Sequence, residues 1–107
     1  MAIYGLRTYD VIVGKMADAI KVYQEYGYPA FKAGGFDSKL KGYFIGDVGA
    51  INQIIHLWCF DDDNDRRDFW TRCYADPGFQ DFAARIRPLL RKQNNKLMLA
   101  APFGPTI

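Results

Sequence analysis

The sequence predicts an α+β domain with elements in the order β-α-β-β-α-β, an antiparallel four-stranded sheet carrying helices on one face. Three observations carry this reading. Residues 52–82 hold in succession a β-branched and aromatic run (NQIIHLWCF), a cluster of acids, and an aromatic-rich helical pattern broken by Asp76-Pro77-Gly78. Those signals fix one strand and two helix starts. Earlier, Met16, Ala19, Ile20, Tyr23 and Tyr26 recur at helical spacing, and the 107 residues suffice for one domain (1–107) with one core.

The first strand is read over residues 3–9 (IYGLRTY), a β-branched and aromatic run with polar interruptions. Gly14 precedes the first helix, whose polar face is Lys15, Asp18, Lys21 and Glu25; Gly27, Pro29 and Gly34-Gly35 end it and open a loop. Residues 40–47 (LKGYFIGD) read as a second strand, with Gly42 and Gly46 as weak points or bulge sites. Gly49 supplies a turn into the third strand, residues 52–60, and so short a connection favours an antiparallel hairpin. The acids of 61–65 stand at the positive end of the next helix, where they cap free amides, and Phe69, Trp70, Cys73 and Tyr74 form its apolar stripe. Asp76-Pro77 starts a second piece of that helix, with Phe79, Phe82, Ile86 and Leu89 or Leu90 facing inward until Pro88 ends or kinks it. Residues 96–101 make the last strand, and no linker, repeat or low-complexity segment appears.

Half of the residues are hydrophobic and 16% are aromatic, so the chain is globular. Seven Tyr, eight Phe and two Trp exceed what so small a core takes up, so aromatic surface is expected in a cavity or an interface. A net charge of +2 with interspersed signs does not point to nucleic acid. Cys59 and Cys73 sit in apolar patterns without a partner motif, which suits buried free thiols in a reducing compartment. The start MAIYGLRTYDV lacks a signal peptide's pattern, and no stretch approaches the roughly 20 apolar residues of a membrane span. A cytoplasmic protein without membrane or nucleic-acid partners is expected. One sheet face is left bare in this order, and its strands are too apolar to stay wet. Two copies pressing bare faces together would close a barrel around a cavity, so a homodimer is expected.

Many short matches follow one another along the chain. They are LRTY at 6–9, Gly14-Lys15, Gly42 and Phe44, Gly49-x-x-Asn52, His56-Leu57-Trp58, and Arg66 in a helix opening. Asp76-Pro77 with an aromatic at 79, Pro88-Leu89-Leu90, Gln93-Asn94-x-Lys96-Leu97 and Pro102-Phe103-x-Pro105 continue them. In this order they resemble the NIPSNAP family, a branch of the dimeric α/β-barrel superfamily. The resemblance implies a ferredoxin-like fold paired into a dimeric α/β barrel. It implies no reaction, because the family carries no agreed catalytic residues. Related barrels include cofactor-independent monooxygenases, haem-binding proteins, isomerases and decarboxylases, so the fold alone decides nothing. The chain departs from the pattern at Asp47, where a glutamate is expected, and at Gly104, where a serine is expected.

Alternation on the third strand puts Asn52, Ile54, His56, Trp58 and Phe60 on one face and Gln53, Ile55, Leu57 and Cys59 on the other. The second set suits the helix-covered face, so the first is expected to line the barrel interior. Arg7 and Tyr9 fall together and are placed with His56 and Trp58; Leu6 is placed under the helices, and Tyr43 joins the cavity unless a bulge shifts its register. His56, the only histidine, is the candidate proton acceptor, with Arg7, Tyr9, Tyr43, Asn52 and Trp58 as candidate binding residues. Its structural alternative is an imidazole bonded to a tyrosine or carboxylate across the dimer seam. Arg7 suits a planar carboxylate or enolate; its alternative is an ion pair with Asp10, Asp47 or a partner subunit.

No metal site is expected. His56 and Cys59 (H-x-x-C) point to opposite faces, and the run from Asp61 to Asp65 resembles a calcium loop only until Arg66 and Arg72 occupy essential positions. A haem ligand role for His56 is not called for by a strand that packing already explains, so no cofactor is expected. The basic residues from Arg85 to Lys96 read as a solvated helix face. The expected function is a cavity-bearing homodimer binding a small apolar or aromatic molecule. The alternative is a cofactor-independent enzyme, monooxygenase- or isomerase-like, using His56 as base and Arg7 and Tyr9 as anion binders. A pocket of roughly 300 Å3 reaching His56 would favour the enzyme, and solid packing would remove it.

Overall fold

The computed structural model describes residues 1–107. Strands β1 (Ile3–Val11), β2 (Leu40–Ile45), β3 (Gln53–Phe60) and β4 (Leu90–Leu99) pair antiparallel in the order β2-β3-β1-β4. Helices α1 (Met16–Val22), α2 (Tyr28–Ala33), α3 (Asp63–Ala75) and α4 (Pro77–Ile86) cover one face of that sheet. This is the ferredoxin-like α+β arrangement that the order of elements predicted.

The register sets the two faces. Arg7 stands opposite His56, Gly5 opposite Trp58 and Tyr9 opposite Ile54 across the β1–β3 ladder. On the other side Tyr43 opposes His56, with a bulge between Leu40 and Gly42 that leaves this pairing intact. Burial along β3 alternates strictly: Ile54, His56, Trp58 and Phe60 are buried, and Gln53, Ile55, Leu57 and Cys59 are half-buried.

The alternation is the expected one, but its two sides are exchanged. Trp58 packs on Phe31 of α2 and on Phe69 and Trp70 of α3, so the buried set lies under the helices. Leu6, opposite Leu57, lies with that residue on the bare face. The helices have aromatic stripes, and stacked rings fill the space between helix and sheet better than aliphatic groups alone. Cys73 and Phe69 of α3 and Phe79, Phe82, Ala83 and Ile86 of α4 complete the core.

Both expected helix starts are present. Asp62 accepts from the Asp65 amide, and Asp76 accepts from the Phe79 amide with Pro77 in the first turn. Strand β1 runs two residues past its expected end, and β2 and β4 each stop two short; two other boundaries differ more. The first helix does not stop at Gly27. A π-turn over Tyr23–Gly27 carries it into α2, whose first turn holds Pro29. A Cβ at Gly27 would come within 2.7 Å of the Phe82 ring, so glycine is what lets this turn lie against α4. The last strand begins at Leu90, not at 96, after a 3-10 turn over Arg87–Leu89. Residues RKQNNK have weak strand preference, but pairing with β1 from Ile3 to Val11 overrides it. Arg91, Lys92 and Lys96 are thereby strand residues, and only Arg85 belongs to a helix face, where it stacks on Tyr26 at 3.9 Å.

Candidate functional site

His56 sits at the centre of the helix-covered face, 3% exposed, within a ring of tyrosines. The rings of Tyr9, Tyr43 and Tyr23 lie 4.9, 4.7 and 5.4 Å from it, and Trp58 follows at 6.1 Å. Its Nε2 is 2.9 Å from the Tyr23 hydroxyl, while Nδ1 has no partner. If the Tyr23 hydroxyl donates to Nε2, the only buried polar group left over in the pair is the Nδ1 proton. The opposite tautomer strands both a bare Nδ1 and the phenol proton, so the first arrangement is favoured. Burial, with the nearby Arg7 charge adding to it, lowers the His56 pKa to about 3. The Tyr23 hydroxyl is pushed well above its ordinary value, also by burial. At neutral pH this is a hydrogen bond between two uncharged groups.

That geometry bears directly on the base expected at position 56. The Nε2 lone pair is occupied by Tyr23, and an imidazole with so low a pKa is a weak proton acceptor. The structural alternative was a bond to a tyrosine across a dimer seam; a tyrosine is indeed the partner, but within the same chain. Tyr23 was missed as a site residue because it was counted only in the apolar stripe of its helix. The π-turn beginning at Tyr23 had no signal beyond Gly27 and Pro29.

Within the chain Arg7 pairs with neither Asp10 nor Asp47. Asp10 instead accepts from Gln53 and lies 4.0 Å from Arg91, and Asp47 is an exposed turn residue. The Arg7 guanidinium lies 3.8 Å over the Trp70 ring and donates to the hydroxyls of Tyr9 (3.3 Å) and Tyr74 (3.2 Å). Arg7, Tyr9 and His56 do meet, as expected, around one chamber of about 70 Å3 between the sheet and helices α3 and α4. A second hollow, an apolar groove of about 370 Å3, lies between α1 and β2 and is lined by Tyr23, Tyr28, Tyr43, Phe44, Ile45 and Ile54 among others. Tyr23 lines both hollows; His56 lines only the chamber. The Tyr43 hydroxyl is buried without a partner, and burial raises its pKa.

Two candidates fall outside. Asn52 lies before β3 in a left-handed conformation (φ 60°), its carbonyl accepting from the Val11 amide, and lines neither hollow. Left-handed backbone ends the strand alternation that had placed it beside Ile54. Trp58 is fully buried among core rings and also lines neither hollow; its indole N–H has no partner. No group of three or more His, Cys, Asp or Glu is placed to hold a metal ion. Gly104 has φ 84°, a conformation in which the serine expected there would be strained.

Fold and site define the class: a ferredoxin-like α+β domain with a small aromatic chamber floored by one neutral histidine. The chain belongs to the NIPSNAP family, whose model matches residues 4–105. It is 26% identical to the protein NipSnap of Drosophila melanogaster over 97% of this chain and 37% of that protein, so it spans little more than a third of that relative's length. A NIPSNAP family protein of unknown function from Agrobacterium tumefaciens superposes with a TM-score of 0.88 at 34% identity, over 99% of this chain and 94% of that one. The cofactor-independent oxygenase SnoaB of Streptomyces nogalater superposes with a TM-score of 0.64 at 16% identity over 98% of both chains, a likeness of fold alone.

Proposed function

We propose that this protein is a homodimer, assembled through the bare face of its sheet, that holds a small apolar or aromatic molecule in the groove beside Tyr43. The observation that carries the proposal is the groove itself. Its volume of about 370 Å3 falls in the range of small-molecule sites, and seven of its eight lining residues are apolar or aromatic. Tyr43, which lines it, carries a buried hydroxyl without a partner in the chain, so a ligand that reached it would satisfy a stranded group. The chamber at His56 is much smaller, about 70 Å3.

The dimer rests on the composition of the bare face. An antiparallel sheet with one wet face ordinarily alternates apolar and polar residues. Here Leu6, Ile55 and Leu57 occupy that face and Phe44 is 52% exposed on it. Phe44 also lines the groove, so a second copy covering it would shape the ligand site. The expected cytoplasmic location fits two free thiols at Cys59 and Cys73, and no helix is long and apolar enough to cross a membrane. An enzymatic role draws support from the meeting of Arg7 with Tyr9, but the weak basicity of His56 puts binding ahead of chemistry.

Native mass spectrometry of the purified protein tests assembly, and titration with 2-naphthol tests the groove. A dimer that binds the probe, with the affinity lowered several-fold in Tyr43→Phe, is the expected result. A monomer would remove the assembly, and binding unchanged in Tyr43→Phe and in Ile54→Trp, which fills the groove, would remove the ligand site.

A further inference from the structure

The chamber at His56 carries a different chemistry from the groove. Fourteen residues line it, among them two arginines, Arg7 and Arg87, and no acidic side chain. Neither arginine makes an ion pair anywhere in the chain, although most other cations of the α3–α4 region are paired, Arg66, Arg67, Arg72 and Arg85 each with an aspartate. Arg7 is the more informative of the two. It is half-buried, fixed flat on Trp70, and held by two phenols instead of a carboxylate. A guanidinium taken partly out of water gains most from a planar anion, and this one has no such partner. Both phenols accept from Arg7, so the proton of each hydroxyl remains free to donate, and no acceptor in the chain takes either. Three donors thus cluster at the Arg7 guanidinium, and Phe79, Phe82 and Ile86 also line the chamber.

We propose that this chamber is a receptor for a short-chain carboxylate, its charged end bound by Arg7 with the hydroxyls of Tyr9 and Tyr74 and its alkyl end against Phe79, Phe82 and Ile86. The size of the ligand follows from the space. A volume of about 70 Å3 holds on the order of five to seven heavy atoms, at 10–15 Å3 for each water-sized sphere. That describes a monocarboxylate of about three to five carbons. Arg87 at the rim adds positive potential without being required for contact. The proposal is independent of the groove, because the two hollows share only the Tyr23 side chain.

The test is a titration of the whole protein with sodium propionate at constant ionic strength, followed by NMR at the Trp70 indole and the Arg7 guanidinium signals. Propionamide, of the same shape without the charge, is the control. Saturable millimolar binding of propionate is expected, with propionamide at least about tenfold weaker, as loss of a charge-assisted hydrogen bond implies. Arg7→Gln is expected to weaken propionate at least about tenfold, and Tyr74→Phe about two- to fivefold. Tyr74 is 46% exposed and the change only removes its hydroxyl, so that variant keeps the test open if Arg7→Gln does not fold. No saturation, equal binding of propionamide, or an affinity indifferent to both substitutions overturns the proposal.

Discussion

Of the tyrosines around His56, Tyr23 and Tyr43 should respond to loss of the hydroxyl with stability changes of opposite sign. The Tyr23 hydroxyl is bonded to Nε2 at 2.9 Å; the Tyr43 hydroxyl is buried and has no partner. Tyr23→Phe leaves the ring in place, with its edge-on contacts to Phe82 at 4.9 Å and Tyr43 at 5.7 Å. It strands a second nitrogen on an imidazole whose Nδ1 is already unpartnered. An unsatisfied buried polar group costs about 1–3 kcal/mol. Tyr43→Phe removes a hydroxyl that was desolvated for nothing, so it should be neutral or stabilising by up to about 1 kcal/mol. Hydrophobic transfer alone would give both substitutions the same sign, so the difference between them isolates the hydrogen bond.

Urea unfolding at fixed protein concentration measures this, since an associating chain's apparent stability depends on concentration. The midpoint should fall in Tyr23→Phe and hold or rise in Tyr43→Phe, at constant slope. Placing His56→Leu on the Tyr23→Phe background should recover part of the loss, because removing both partners leaves no stranded polar atom. A Tyr23→Phe midpoint equal to wild type, or a Tyr43→Phe loss as large as that of Tyr23→Phe, would refute the reading of His56 as a buried neutral group held by Tyr23.

Further expectations concern pH, packing and capping. His56 titrates near 6.5 when unfolded and about 3 when folded, so between those values the unfolded chain binds the extra proton and stability falls as pH falls. From pH 7 to 4.5 this group should remove on the order of 3 kcal/mol, a slope that His56→Leu should lose; equal slopes in denaturation experiments would exclude the assignment. Gly27→Ala drives a Cβ to within 2.7 Å of Phe82 and should lower stability by about 1–3 kcal/mol in thermal unfolding. Asp76→Ala removes the acceptor of the Phe79 amide at 2.9 Å and should lower it by about 1 kcal/mol, visible as a lower urea midpoint. The Cys73 thiol, pushed up to about 12 chiefly by burial, should resist iodoacetamide in the folded state.

Where the fold was legible, a local signal had one meaning. Asp62 and Asp76 cap helices because an acid before an apolar helical run has few other uses, and Pro77 reinforces the second. The sides of β3 were not legible because both of its alternating sets are apolar. Ile54, Trp58 and Phe60 on one side and Ile55, Leu57 and Cys59 on the other could each serve as a core face. Periodicity separates two sets without saying which the helices cover, and the volume of the aromatic stripes decides that only in three dimensions. The meeting of Arg7, Tyr9 and Tyr43 with His56 was legible, since register alone brings them together. Tyr23 was not, because its place depends on a π-turn that shifts the helix by a fraction of a turn.

The exchanged sides of β3 separate two properties that a barrel interior would have joined. With His56 facing the helices, each chain contains its own complete chamber, and no residue of that chamber lies on the bare face. The groove differs, because Phe44 belongs to both the groove and the bare face. Leu57→Asp places a charge at the centre of the proposed dimer surface, where a desolvated unpaired carboxylate should prevent association. In that variant propionate binding at the chamber should stay within about twofold of wild type, while 2-naphthol binding at the groove should weaken as Phe44 loses its cover. Light scattering reports the assembly and the two titrations report the sites. A folded Leu57→Asp monomer that loses propionate would mean that the chamber needs a partner chain, and that the Arg7 site is intermolecular after all.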